Sequence, residues 1–412
     1  MNVLQKVSQQ SVTQPAVLPL HGTGPASFRL LSIDVFRAVT MFFMIFVNDV
    51  DGVTNIPRWI GHVKASTDGL GFADTIFPAF LFIVGLSLPF AIKKRLSNGH
   101  SFFAVAMYIV TRSLALIVMG FLHVNLENYN SDALLPKAVW EILITVGFFL
   151  IWLDYPPAIN KRQRSVLQVA GVLLLVVIAY IFKGGEPGEA VGLKPYWWGI
   201  LGIIGWAYFV CASLFLLSNS KFWLQVGFLV IFYMINISVH TGLLKFSIPV
   251  IGDGSAASLT MGGVVISLLY TWLFAQKKQS LLWTLLLMCG VFLLLFGLWI
   301  RPYAGGISKI HATTAWIAIC TGISILVFEI IIYLVDVKGK QDWFAAIRPA
   351  GTSTLTCYLI PYLLYSVYAL AGFNYTPFFN EGIGGIIRSF AVAFFVIWLT
   401  GILEKRRIRL KI

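Results

Sequence analysis

Charge is what this sequence has least of. Asp, Glu, Lys and Arg make up 11% of its 412 residues, where soluble chains carry about a quarter. A chain so poor in charge, 58% hydrophobic and with a mean hydropathy of +0.84, cannot cover a water-soluble surface. Cysteine is scarce too. Cys211, Cys289, Cys320 and Cys357 all fall in apolar runs, with no CxxC pair and no partnered loop cysteines. That excludes a disulfide framework and gives no metal-ligand spacing, so no metal is expected. Strand-like alternation of apolar and polar residues is missing, which excludes a transmembrane β-barrel. Residues 1–28, rich in Ser, Gln, Thr, Pro and Gly, lack the apolar stretch of a cleaved signal peptide and are expected to form a disordered cytoplasmic tail.

What is present is a succession of apolar runs of the length a helix needs to cross a hydrocarbon core. They predict an all-α polytopic membrane protein in which residues 29–412 form a single transmembrane domain in the lipid bilayer. The pattern places about twelve helices, near 33–48, 73–93, 102–123, 138–153, 165–182, 198–218, 222–239, 258–275, 280–300, 311–335, 351–371 and 383–403. Loops rich in Lys and Arg stay on the cytoplasmic side. Lys93, Lys94, Arg95, Lys161, Arg162, Arg164, Lys277, Lys278 and the basic run from Lys405 to Lys411 therefore set both termini in the cytoplasm. The net charge of +13 is then topology charge, and no soluble basic surface is left for nucleic acid.

The informative residues are polar groups that a lipid-facing bundle does not need. They gather in the first two helices and the loop between them. RLLSIDVFRAVTMFFMIFVNDVDG (29–52) puts Asp34 and Arg37 three apart near the cytoplasmic end and Asn48 at the opposite end. The spacing reads as an intrahelical ion pair, or, for Arg37, as a phosphate contact. Asp74, at the start of the second helix, suits the N-terminal helix dipole, so capping is its simplest role. His62 lies in the joining loop, where an imidazole can take and release a proton near neutral pH. Arg112, near a helix end, needs a partner. Glu141 in the fourth helix pairs inside the bundle or lines a cavity, and Lys309 before the tenth either meets substrate hydroxyls or snorkels to the interface. His123 and His311, at helix ends, fit either a structural or a functional role.

The order SIDVFR (32–37), FVN (46–48), His62 and ADTIFPAFLFIVGLS (73–87) resembles the heparan-α-glucosaminide N-acetyltransferase family of transmembrane acyltransferases. TRSLALIVMGFLHVN (111–125), ISKIHATTAW (307–316) and GTSTLTCYL (351–359) extend the likeness, and YWWGILGIIGWAYFV (196–210) is similar to the bacterial NagX-type branch. The resemblance implies transfer of acetyl from cytoplasmic acetyl-CoA, the co-substrate, to the amine of a glucosamine-type sugar on the far side of a bacterial inner membrane. It carries the family's active histidine to His62 and its helix-1 asparagine to Asn48. In that chemistry His62 serves as general base or acetyl carrier, Asn48 as oxyanion donor, and Asp74 as holder of the imidazole tautomer. Arg37 and Arg112 would meet CoA phosphates, and Lys309 and Glu141 the sugar. A homodimer is among the expected assemblies. The rival expectation is a secondary transporter for N-acetylglucosamine or a related amino sugar, which twelve helices also suit. Against it stand the lack of a repeat between the halves and the gathering of polar residues at helix ends.

Overall fold

Apolar runs of this length satisfy their backbone polar groups only as helices inside a membrane, and helices account for nearly all regular structure in the computed structural model, which describes residues 30–246 and 248–412. The expected tail, residues 1–28, lies outside the described residues. In chain order the helices are α1 (Leu31–Val50), α2 (Ala73–Ser97), α3 (Phe102–Val124), α4 (Lys137–Trp152), α5 (Lys161–Tyr180), α6 (Gly199–Leu217) and α7 (Phe222–His240). They continue with α8 (Ser255–Ala275), α9 (Gln279–Ile300), α10 (Thr314–Ile332), the short α11 (Arg348–Thr352), α12 (Thr354–Ala371) and α13 (Gly382–Lys405). Eleven helices among the described residues are long and apolar enough to cross a membrane. The expected twelve differ by one. At 16 residues α4 is short, yet it runs between the same two ends of the bundle as its neighbours. The segment before it is tied to the segment after α5, Asn130 donating to the Lys183 carbonyl at 3.1 Å, and the carbonyl of its last residue, Trp152, accepts from the Lys411 N–H at 2.7 Å.

Helices α1, α2, α8 and α10 form the interior, while α5, α7 and α9 present long apolar faces outward, where lipid is their solvent. Lipid gives no hydrophobic drive between helices, so close backbone approach must hold the centre together. Glycine supplies it. A Cβ on Gly85 of α2 would run into the Thr260 carbonyl of α8, and one on Gly263 of α8 into the Phe82 carbonyl of α2. Gly120 of α3 and Gly202 of α6 make a second such crossing.

The two ends differ. One gathers the start of α1, α11, the start of α12 and the C-terminal segment: Arg37 donates to the Gly351 carbonyl at 3.3 Å and the Leu410 N–H to Thr356 Oγ1 at 2.9 Å. The other gathers the α1–α2 loop with residues 301–313 and 375–381, through Gly69 N–H to the Ile307 carbonyl and Thr54 N–H to the Asn380 carbonyl, both 3.0 Å. Below these are the Arg37 end and the His62 end.

Candidate active site

The α1–α2 loop is folded back on itself before α2 begins. Phe72 N–H donates to the Trp59 carbonyl at 2.7 Å and Ala73 N–H to the Ile60 carbonyl at 3.2 Å, and a Cβ on Gly71 would collide with the Gly61 carbonyl. Asp68 clamps the loop from outside: its carboxylate accepts from the Ile307 N–H at 2.7 Å and from Arg301 at 2.8 Å. The Ile307 N–H and the Arg301 guanidinium hold the Asp68 carboxyl below its ordinary range.

This folding delivers His62 to Asp74. The buried Asp74 sits in the first turn of α2; its Oδ1 lies 2.7 Å from His62 Nδ1, and its Oδ2 accepts from the N–H groups of Val63 and Gly71, each at 3.1 Å. A carboxylate with its other oxygen filled by two donors takes the Nδ1–H of His62, which leaves Nε2 as the basic nitrogen. Trp316 of α10 donates its indole N–H to the Asp74 carbonyl at 3.1 Å and so ties the start of α2 to the bundle interior. Asp74 thus lies in the first turn of α2 but, against the capping expectation, accepts no hydrogen bond from that helix's own N–H groups; its carboxylate is taken up by the loop and by the imidazole it orients. Lys309 Nζ lies 3.2 Å from His62 Nδ1 and 3.4 Å from Nε2. An atom in the ring plane at near-equal distance from both nitrogens would overlap the carbon between them, so the ammonium sits over the ring face. Burial pushes the Lys309 ammonium down from its ordinary range, while the Asp74 and Asp51 carboxylates pull it partly back.

Two cavities meet in the middle of the bundle. The one at the His62 end, about 350 Å³, is lined by His62, Asn48, Asp51, Glu127, His123, Trp197, Tyr362 and Tyr365 among others. Asn48 is exposed there, and its side chain makes no hydrogen bond among the described residues. The one at the Arg37 end, about 410 Å³, is lined by Arg37, Arg112 and Lys411 with Ser87, Tyr208 and residues 351–355. Met44, Ile200, Leu201 and Tyr358 line both and form the septum between them. Tyr358 and Tyr362 share a hydroxyl–hydroxyl hydrogen bond of 3.0 Å. The charges are segregated. The lining of the first cavity includes two carboxylates and no Lys or Arg, and that of the second includes three cationic side chains and no carboxylate side chain.

In the cationic cavity Arg37 pairs with Asp34 at 3.1 Å, so the expected ion pair forms, and the same guanidinium reaches the cavity wall. Arg112 departs from expectation in depth: it lies midway along α3, not near its end. It is half-buried, donates to Tyr108 OH at 2.9 Å and faces the Tyr208 ring at 5.3 Å, and its Nε has no hydrogen-bond partner among the described residues. An Arg with a spare donor on a cavity wall suits a phosphate oxygen.

Six of the singled-out residues, His62, Asp74, Asn48, His123, Arg37 and Arg112, thus fall on the two cavities or on the His62–Asp74 pair, and Lys309 joins that pair. Glu141 stands apart, accepting from Ser366 Oγ at 2.8 Å behind the cavity wall. Other members give little sign of themselves in the sequence. Asp49, next to Asn48, is buried against Arg388, Ser389 and Tyr365, a junction that packs α12 and α13 against the end of α1. Glu127 and Trp197 meet through a 3.0 Å hydrogen bond that joins segments far apart in sequence.

A family model described as a domain of unknown function, DUF5009, matches residues 29–245, just over half of the chain. The heparan-alpha-glucosaminide N-acetyltransferase of Homo sapiens is 37% identical over 116 residues, covering 28% of this chain and 16% of that protein. The Mus musculus protein of the same name is 36% identical over 101 residues, covering 24% of this chain and 14% of that protein. The matched region is therefore a small part of each relative. A multi-pass helical membrane protein with this match to the family model belongs to the DUF5009 family and is related to the heparan-alpha-glucosaminide N-acetyltransferases.

Proposed function

We propose that the protein is a transmembrane N-acetyltransferase that moves acetyl from acetyl-CoA, taken up at the Arg37 end, to the amine of an amino sugar taken up at the His62 end. The observation that carries this reading is the pair of abutting cavities of opposite charge, with the His62–Asp74 pair on the anionic one. CoA is a polyanion and its nucleotide suits the wall of Arg37, Arg112 and Lys411; a protonated amine suits the wall of Asp51 and Glu127. Only the thioester end of the donor has to reach the septum.

His62 Nε2 removes a proton from the ammonium, and the freed amine attacks the thioester carbonyl. Asn48, with its amide unengaged, donates to the oxygen that gains negative charge, where one positioned donor is worth about 3 kcal/mol. The C–N bond forms, the C–S bond breaks, and the sulfur leaves as the thiolate of CoA; of the two protons the ammonium loses, one protonates the thiolate and the other leaves from His62 to the solvent at the His62 end. Asp74 keeps the imidazole in the tautomer this needs. The basic residues at the Arg37 end, Lys93 to Arg95, Lys161 to Arg164 and Lys405 to Lys411, support a cytoplasmic donor side and a periplasmic acceptor side in a bacterial inner membrane.

In detergent and without any ion gradient, the purified protein should release free CoA from acetyl-CoA when glucosamine is added. His62→Ala should lower that turnover roughly a hundredfold or more, the scale of a lost general base. CoA release that is unchanged in the variant removes His62 from the chemistry. A wild type that acetylates no amino sugar, yet moves one into sealed vesicles, would make it a transporter.

A further inference from the structure

Between α10 and α11 the chain runs along the Arg37 end of the bundle and opens a third cavity there, which the proposed chemistry does not use. Residues 341–347 form a short 3-10 helix laid against α1, and the space between them measures about 310 Å³. Its apolar wall includes Leu31 and Val35 of α1 and the half-buried Phe344. Its charged wall holds Asp34, Asp342 and Arg348. Asp34 pairs with Arg37 at 3.1 Å, toward the cationic cavity. Asp342 and Arg348 differ from it: both are exposed, and neither side chain makes a hydrogen bond or ion pair among the described residues, not even with the other. One cavity therefore presents an unpaired charge of each sign beside an apolar wall.

The same segment carries the marks of the bilayer interface. Trp343 is 68% exposed with Lys340 Nζ 5.6 Å from its ring centroid, and Lys338 Nζ lies 5.4 Å from that of Tyr333. Aromatic and basic side chains grouped in this way sit where hydrocarbon meets headgroups. A ligand that satisfies Asp342 and Arg348 together must carry a positive and a negative group, and to cover Leu31 and Phe344 it must also have an apolar part. We propose that this cavity binds an aminophospholipid of the leaflet at the Arg37 end, with its primary ammonium on Asp342, its phosphate on Arg348 and the start of its acyl chains on Leu31, Val35 and Phe344. A guanidinium fork matches phosphate oxygens. A primary ammonium has N–H donors for a carboxylate, and a quaternary ammonium has none. A headgroup with a phosphate and no amine would bring its charge up to Asp34 and Asp342 with nothing to offset them. The site stands apart from the acetyltransferase reading, since no step of that chemistry touches it.

Native mass spectrometry of the purified full chain in detergent tests it, with phosphatidylethanolamine, phosphatidylcholine and phosphatidylglycerol of identical acyl chains titrated into wild type, Asp342→Asn and Arg348→Gln. Wild type should bind phosphatidylethanolamine roughly tenfold more tightly than either of the others. Asp342→Asn should erase the preference over phosphatidylcholine while leaving phosphatidylcholine itself within about twofold, and Arg348→Gln should weaken phosphatidylethanolamine by tenfold or more. Both changes are at exposed side chains, so an unaltered thermal midpoint in lipid-free detergent should accompany them; if Arg348→Gln fails to fold, Asp342→Asn decides. A wild type with no preference for phosphatidylethanolamine overturns the site, as does a preference that survives both substitutions. Tightest binding of phosphatidylglycerol, lost in Arg348→Gln, would replace the aminophospholipid with an anionic lipid. Displacement of the lipid by an equal concentration of O-phosphoethanolamine would assign the cavity to a soluble phosphoamine and overturn the lipid.

Discussion

A lysine ammonium over the imidazole of the His62–Asp74 pair answers a problem of charge. Asp74 is a buried carboxylate, and an ion so placed must be compensated. In the proposed chemistry the imidazole must be free to accept a proton, so the positive charge is left to Lys309. Burial lowers the Lys309 ammonium, which therefore loses its proton below the ordinary lysine value of about 10.4 as pH rises. Compensation then fails and turnover should fall through that window. Lys309→Arg, whose guanidinium stays charged, should keep turnover flat there; pH–rate profiles at saturating glucosamine show whether it does. The sign of the stability effect is opposite. A Lys with a lowered value in the folded state costs stability while it is charged, and that cost is relieved as pH rises through the lowered value. The alkaline loss of turnover should accordingly occur without a fall in the thermal midpoint.

Among the elements, α2 carries most of the site's alignment, since it holds Asp74 at one end and lines the cationic cavity with Ser87 lower down. Its position is set by the Gly85 and Gly263 crossing with α8. Gly263→Leu would drive a side chain into the Phe82 carbonyl and should cost about 1–3 kcal/mol or more, the scale of overpacking in a close-packed interior. A drop in the detergent thermal midpoint, together with loss of turnover, is the expected result; an unchanged midpoint would mean that the helices slide apart without penalty. Element existence was legible in the sequence because apolar run length has one solution in lipid. Helix α4 was expected at nearly its observed span, 138–153 against Lys137–Trp152, though it is shorter than a typical span. His62, Asp74, Asn48, Arg37 and Arg112 were legible for a related reason: a polar group among apolar neighbours is conspicuous in one dimension. Glu127 and Trp197 were not, because their hydrogen bond joins the end of α3 to the segment before α6, and His123 was legible only as a histidine at a helix end. No periodicity within α3 signals that His123 faces Tyr362.

At the scale of the whole molecule the segregation of charge between the cavities was not legible either. Net charge and loop charge set sidedness, but cavity lining depends on which face each of several helices turns inward. The septum between the cavities has a further consequence. Met44, Ile200 and Leu201 are apolar, and the polar atom they leave at the boundary is the Tyr358 hydroxyl, bonded to that of Tyr362 at 3.0 Å. On the proposed reading, an acetyl group leaving sulfur for nitrogen carries the equivalent of one positive charge outward. One of the two protons the ammonium loses, returned to the thiolate through the two phenols, would carry one inward. Transfer by that route does no electrical work, and reconstituted protein should turn over at the same rate under a transmembrane voltage of either sign. Release of both amine protons on the outer side, with the thiolate protonated from the inner side, would instead leave each turnover working against the field, at about 2.3 kcal/mol per 100 mV, and the rate would then follow the voltage. On that reading the phenol pair would make turnover indifferent to whether the membrane is energised.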